Sequence, residues 1–146
     1  IAANENSEIK ALAALAAVSD FMRYTDSQVK RWREKGFIEI PNSRTNQMMR
    51  LNLTLLEDIE KNKERLSIIK AAEALKIPIL IIHGKEDLAV KYAEKIFAAA
   101  NSSLAELEII ENTGHTFGIE HPFKGTNIYF EKVIKLVSEF FKRSLL

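Results

Sequence analysis

The sequence contains no cysteine, so disulfide bonds and thiolate metal sites are excluded. Charge of one sign is not in excess, because 21 basic and 20 acidic residues are interspersed. This balance leaves no basic face for nucleic acid or for an anionic membrane surface. The longest apolar run, residues 11–18, is far shorter than the roughly 20 residues that a membrane helix needs. We therefore expect no nucleic-acid and no membrane partner. Missing cysteine does not fix the compartment, and the cytoplasm is our default assignment.

A serine nucleophile is also missing. A nucleophile elbow has glycines two residues on either side of the nucleophile, and no serine here meets that pattern. Residues 114–118 have the spacing with Thr116 at the centre. Threonine nucleophiles usually depend on an N-terminal amine, so Thr116 is a poor candidate. The chain also begins at Ile1 rather than methionine. We expect a truncated part of an enzyme, although a purification scar or a processed propeptide would leave the same beginning.

The informative part of the sequence is a strand, a helix and a second strand. Residues 79–82 are four apolar residues between a proline and His-Gly, a pattern typical of a strand covered on both faces. Residues 107–110 predict a second strand. Between them, Tyr92, Ile96 and Ala100 mark one face of a helix. At 146 residues and 47% hydrophobic, the chain has the size of one domain with a core of its own.

Two polar residues follow these strands. Asp87 comes shortly after the first strand and His115 shortly after the second. Strands joined by one helix are almost always parallel neighbours, and their carboxyl ends share the sheet edge at which ligands gather. We therefore expect Asp87 and His115 to touch. An ionised aspartate that accepts a hydrogen bond from one imidazole nitrogen orients the ring as a base.

The rest of the chain gives weaker signals. Residues 9–19 fit either an alanine-rich helix or a buried parallel strand. Residues 20–35 predict a helix that is capped by Thr25 or Asp26 and ended by Gly36. Residues 37–40 and 47–51 predict a hairpin around a turn at 41–43. Amphipathic helices are predicted at 53–63 and 67–75, and a final one over 130–141.

Two motifs carry a family resemblance. Residues 78–87 (PILIIHGKED) with Val90, and residues 114–117 (GHTF), resemble the acid and histidine loops of the α/β-hydrolases. The similarity is to members such as dienelactone hydrolases, acyl esterases and prolyl-oligopeptidase-like peptidases, and it covers the chain from about residue 9 to the end. It implies a serine hydrolase acting on an ester, thioester or amide, with Asp87 orienting, His115 as general base and then acid, and no cofactor. In the family order of serine, acid and histidine, the nucleophile and oxyanion loop precede Ile1.

The resemblance also implies a fold. The chain would be the carboxyl-terminal part of an α/β-hydrolase fold, a single partial α/β domain of mostly parallel strands flanked by helices. Residues 9–19 would be a strand, residues 20–75 a helical and hairpin insertion, and residues 76–146 the acid and histidine strands with the terminal helix. Within the insertion, the larger apolar side chains either line the substrate pocket or simply pack. They are Trp32, Phe37 and Met48.

Several alternatives stay open. His83 ends a buried strand and is expected to be structural, satisfying a neighbouring backbone group. His121 is a candidate pocket residue or an ordinary loop residue. A metal-dependent hydrolase site is a further alternative, with nitrogen and oxygen ligands from His83, Asp87, His115 and His121. Finally, the chain could be a non-catalytic binding module. As partners we expect a small ester or amide substrate, and either the missing amino-terminal half of the fold or self-association through an exposed strand edge.

Overall fold

The computed structural model describes residues 1–42 and 45–145. In chain order the elements are α1 (Ala2–Glu5), β1 (Leu12–Leu15), α2 (Asp26–Lys35), β2 (Phe37–Asn42), β3 (Gln47–Asn52), α3 (Leu53–Lys61), α4 (Ile68–Glu73), β4 (Ile79–Gly84), α5 (Val90–Ala99), β5 (Ala105–Ile110) and α6 (Ile128–Leu145). They form two compact units, one made of Ile1–Asp20 and Ser67–Leu146 and the other of Phe21–Leu66. The second unit falls within the segment that the resemblance treats as an insertion, whereas α4 belongs to the first.

The first unit is built on a parallel three-stranded sheet with the order β1-β4-β5. Strand β4 lies in the centre because it is apolar on both faces, and all six of its residues are buried. Ile79 and Ile81 pack into a core with α4 and α5, while Leu80 and Ile82 pack into a core with α6. Helices therefore cover both faces of the sheet. The predicted class, mostly parallel strands flanked by helices, is confirmed.

Strand β1 resolves the ambiguity of residues 9–19. Only Leu12–Leu15 form a strand, which runs parallel to β4 with Leu12 beside Ile79 and Leu15 beside Ile82. The alanines in this segment favour helix by propensity, but pairing with a buried neighbouring strand overrides that weak preference. The strand implied by the family resemblance is present, although it is shorter than the segment.

The remaining elements of the first unit differ from prediction mainly at their ends. Strand β5 begins at Ala105 rather than residue 107, and α6 extends over Ile128–Leu145. The four-residue helix α1 was not predicted, since so short a segment has no apolar periodicity; the Asn4 side chain joins it to the Ala71 carbonyl. Among the described residues, no helix combines the length and apolar character needed to cross a membrane.

The second unit begins with α2, whose ends the sequence predicted. The Thr25 hydroxyl accepts the Gln28 amide hydrogen, and the Gln28 side chain accepts the Thr25 amide hydrogen, which completes a capping box. Gly36 ends the helix with a φ of 75°, in the left-handed region that glycine adopts without strain.

The hairpin of β2 and β3 is longer than predicted. The turn expected at residues 41–43 is wrong at its start, because Pro41 and Asn42 continue β2 and pair with Met48 and Gln47. In a two-stranded ribbon both strands are edges, so a proline loses no ladder hydrogen bond when its nitrogen points away from the partner. The last residue of the expected turn, Ser43, lies outside the described residues.

The three large apolar residues of the insertion differ in their surroundings. Trp32 is fully buried and packs edge-on against Tyr24, with ring centres 5.0 Å apart. It therefore packs inside the fold rather than lining an open pocket. Phe37 lies beneath the Arg50 guanidinium at 3.9 Å, and Met48 is exposed. Phe37 and Met48 line one shallow surface depression together with Gln28 and Arg31 of the same unit.

Candidate active site

The carboxyl ends of β4 and β5 bring Asp87 and His115 together. The His115 Nδ1 lies 2.7 Å from the Asp87 Oδ2. A carboxylate only accepts hydrogen bonds, so Nδ1 carries the proton and donates it. The His115 side chain is 53% exposed, whereas that of Asp87 is 11% exposed. The pair thus has a sheltered acid and a histidine that is open to a reactant.

The Asp87 carboxylate is held by three donors. Its Oδ1 accepts the Ala89 amide hydrogen at 2.9 Å, and its Oδ2 accepts from His115 and also from His83. Burial acts to raise the pKa of the Asp87 carboxyl, but the hydrogen bonds from Ala89, His115 and His83 together outweigh it, so the pKa lies below its ordinary value. Asp87 is therefore ionised at neutral pH, the state that orients a histidine base.

The loop carrying His115 rests directly against the end of β4. The Lys85 amide donates to the Ile110 carbonyl, and the Glu86 amide donates to the Thr113 carbonyl at 3.0 Å. A Cβ added to Gly84 would overlap the carbonyl oxygens of Thr113 and Gly114. Glycine at position 84 therefore permits the close backbone approach that brings the histidine loop to Asp87.

His83 is buried, as expected for a structural residue at the end of a strand, but its hydrogen-bond partner differs from the expected one. Its side chain is fully buried, and its Nε2 lies 2.9 Å from the Asp87 Oδ2. The expectation that it satisfies a backbone group was wrong, because its partner is the acid itself. The available signal was the position of Asp87 four residues beyond His83, which lets a tight turn bring the carboxylate back to the strand end: the Asp87 amide donates to the Gly84 carbonyl.

Two other candidates lie apart from this cluster. His121 is exposed in the loop before α6, and no hydrogen bond joins it to Asp87 or His115 within the described part of the chain. Thr116 follows His115, yet its hydroxyl is not hydrogen-bonded to the imidazole in the described residues. Neither residue contributes to the acid and histidine pair in this structure.

The cluster also has the composition of a metal site. Ligand atoms of His83, Asp87 and His115 lie within 4.8 Å of one another. A metal on the His83 Nε2 would require the ring proton to move to Nδ1, which is buried and has no partner among the described residues. Metal-bound histidines almost always donate that second N–H to an acceptor. The residues therefore fit a hydrogen-bonded acid and base cluster better than a metal centre.

The parallel sheet is covered on both faces, an acid and a histidine lie at the ends of neighbouring strands, and a long helix follows the histidine. These features define the carboxyl-terminal part of an α/β-hydrolase fold. Comparison with known proteins agrees. No protein-family model matches the chain. The monoacylglycerol lipase ABHD6 of Mus musculus is 31% identical over 70 residues, which are 48% of this chain and 21% of the mouse protein.

Two solved structures share the fold. A monoacylglycerol lipase from Paleococcus ferrophilus aligns with a TM-score of 0.64 at 15% identity, over 95% of this chain and 61% of that protein. A protein from Agrobacterium vitis described as a candidate hydrolase aligns with a TM-score of 0.57 at 18% identity, over 74% of this chain and 43% of that protein. The chain therefore spans less than two thirds of each of these three proteins. The likenesses support the α/β-hydrolase resemblance but do not separate its subgroups.

Proposed function

We propose that this chain supplies the acid and the base of a serine hydrolase that cleaves an ester, thioester or amide by acyl transfer. The observation that carries the proposal is the 2.7 Å hydrogen bond from an exposed histidine to a sheltered, ionised aspartate at the carboxyl ends of parallel strands. Among the three bond types we favour an ester, because two of the similar proteins are named as monoacylglycerol lipases. Dienelactone hydrolase, acyl esterase and prolyl-oligopeptidase-like chemistry are the finer alternatives.

The proposed roles follow from the hydrogen bonds. With Nδ1 donating to Asp87, the His115 Nε2 carries a lone pair that can take the proton of a serine hydroxyl as the serine oxygen attacks the acyl carbon. The imidazolium formed is stabilised by the Asp87 carboxylate and returns its proton to the leaving group. Water then repeats the same steps on the acyl-enzyme. No cofactor enters this sequence of steps.

The serine in this scheme lies outside the chain, so we propose that the chain is inactive by itself. Within the described residues, β1 pairs with β4 on one side only. Its other edge presents backbone groups that a further strand of the same fold could pair with. A companion segment carrying the nucleophile and the oxyanion donors would bind there.

The test is the intact mass of every polypeptide in the purified sample, before and after treatment with a fluorophosphonate. A companion polypeptide that gains the probe mass, and fails to do so when this chain carries His115→Gln, would support the serine hydrolase. His121→Gln is the matched control and should leave labelling unchanged. A companion that gains the probe mass equally when this chain carries His115→Gln would contradict the proposal. This chain alone, unlabelled and without a companion, would show an inactive fragment or a non-catalytic module.

A further inference from the structure

His83 is the histidine for which the proposed chemistry has no role. It lies in the central strand β4, its side chain has no solvent exposure, and its Nε2 is 2.9 Å from the Asp87 Oδ2. The other ring nitrogen, Nδ1, is buried and has no partner among the described residues. Buried polar atoms without partners are rare, so this one calls for an explanation.

The two nitrogens together fix where the ring proton lies. A carboxylate accepts hydrogen bonds and donates none, so the Nε2 of His83 must carry a proton to bond Asp87. A second proton on Nδ1 would make the ring a buried cation with a donor that has no acceptor among the described residues, and an unsatisfied buried charged group is more costly than an unsatisfied neutral one. The ring is therefore held as the Nε2–H tautomer, and it donates to Asp87 without placing a full positive charge next to it.

This donor acts on the same oxygen that orients His115. Asp87 Oδ2 accepts from both imidazoles, at 2.9 Å from His83 and 2.7 Å from His115. The His115 ring is half exposed on a loop, whereas the His83 ring is immobilised inside the sheet. The rigid donor, together with the Ala89 amide on Oδ1, fixes the rotation of the carboxylate, so the direction of Oδ2 is set before His115 binds to it.

We propose that His83 is a positioning residue that aims the Asp87 carboxylate at His115 and so selects the His115 tautomer that has its lone pair on Nε2. This inference rests on the proposed function, in which Asp87 orients a histidine base. The competing explanation is that His83 merely fills volume at the end of β4. The two differ in whether a donor at the Nε2 position is needed.

The experiment is imidazole nitrogen NMR of the 146-residue chain labelled with ¹⁵N-histidine, which is practical because the sequence has three histidines. In the unaltered chain, at a pH where the imidazole of His115 is neutral, we expect a protonated Nδ1 and an unprotonated Nε2, with the Nδ1 proton resonating at low field. His83→Leu replaces the imidazole with an apolar side chain of similar size and so removes the donor. We expect loss of the low-field proton and a shift of both His115 nitrogens towards the mixed values of a free imidazole.

Two further variants make the result specific. His83→Gln places an amide N–H close to the position of Nε2, and we expect it to restore the His115 signals. His121→Leu removes an exposed histidine by the same substitution and should leave them unchanged. If His115 keeps its signals in His83→Leu, the positioning role is wrong and His83 only fills space.

Failure of a variant to fold would not leave the question open. If His83→Leu unfolds, the His115 signals are compared between His83→Gln and His83→Asn. The glutamine amide is expected to reach Asp87, whereas the shorter asparagine amide is not. Equal His115 signals in these two variants would overturn the proposal. The outcome is independent of the labelling experiment, because an absent serine nucleophile leaves the His115 tautomer measurable. A labelled companion combined with unchanged His115 signals would reject only the role of His83.

Discussion

At the scale of single residues, the site depends on one carboxylate. Asp87 accepts from a backbone amide and two imidazoles while only 11% of its side chain is exposed. Charge-assisted hydrogen bonds of this kind are stronger than neutral ones and favour the ionised form. Burial acts to raise the pKa of Asp87, and the three donors together lower it below its ordinary value.

That low pKa makes a prediction about stability and pH. Because the folded pKa of Asp87 lies below its unfolded value, the folded state gains stability above the unfolded pKa and loses it as the pH falls through the folded pKa. We expect the advantage of the unaltered chain over Asp87→Asn, in the free energy of unfolding by urea, to shrink between about pH 5 and pH 2. Glu86→Gln, which alters an exposed neighbouring carboxyl, should retain the acid dependence of the unaltered chain. An advantage over Asp87→Asn that grows on acidification would contradict this assignment.

The residues of the site were predictable to different degrees. The contact between Asp87 and His115 was predictable because each residue follows a strand of one crossover unit. Parallel strands place their carboxyl ends at the same edge of the sheet. The four-residue spacing only permits the contact between His83 and Asp87, because the tight turn at Gly84 and the ring nitrogen that bears the proton decide whether it forms. The sequence expresses neither of these as a pattern.

At the scale of elements, the end of β4 and the histidine loop behave as one structure. Backbone hydrogen bonds from Lys85 and Glu86 connect them, and Gly84 leaves no room for a side chain between them. The position of His115 is thus set by the backbone of β4 as much as by its own loop.

This contact leads to a matched pair of substitutions. In Gly84→Ala the new Cβ would overlap two backbone oxygens that cannot move cheaply, so we expect a loss of about 1–3 kcal/mol in the free energy of unfolding. In Gly114→Ala the new Cβ meets nothing within 4 Å, and the loss should be small. Urea unfolding followed by circular dichroism measures both. Equal losses would mean that the close approach of the two backbones is not what position 84 requires.

Element prediction failed where local and tertiary preferences compete. Residues 9–19 are alanine-rich, and only pairing with β4 shows that Leu12–Leu15 are a strand. Pro41 suggested a turn, yet a two-stranded ribbon tolerates proline in its strands because each strand is an edge. By contrast, the buried run of β4 and the start of α2 are determined locally; the first was predicted, and the second was predicted as a cap at Thr25 or Asp26.

At the scale of the whole molecule, β1 forms one edge of the three-stranded sheet of the first unit, within the described residues. Leu15, the last residue of that strand, is 45% exposed. In a parallel pair, alternate backbone groups of β1 point away from β4 and lack a strand partner within the described residues. Natural proteins cover or charge such edges, because an uncovered edge pairs with other chains.

We therefore expect the chain to associate, either with a companion segment or, when none is present, with itself. Light scattering over a range of concentrations should show a mass above that of the monomer that falls on dilution. Leu15→Lys places a charge on the edge of β1 and should shift the chain towards monomer. Leu88→Lys is the control, because it makes the same change at a leucine that is 95% exposed and lies outside β1. A general gain in solubility would appear in both variants, whereas an effect of the strand edge would appear only in Leu15→Lys. A monomer at high concentration without a companion would contradict the expectation, because the backbone groups of β1 would then be satisfied without a second chain.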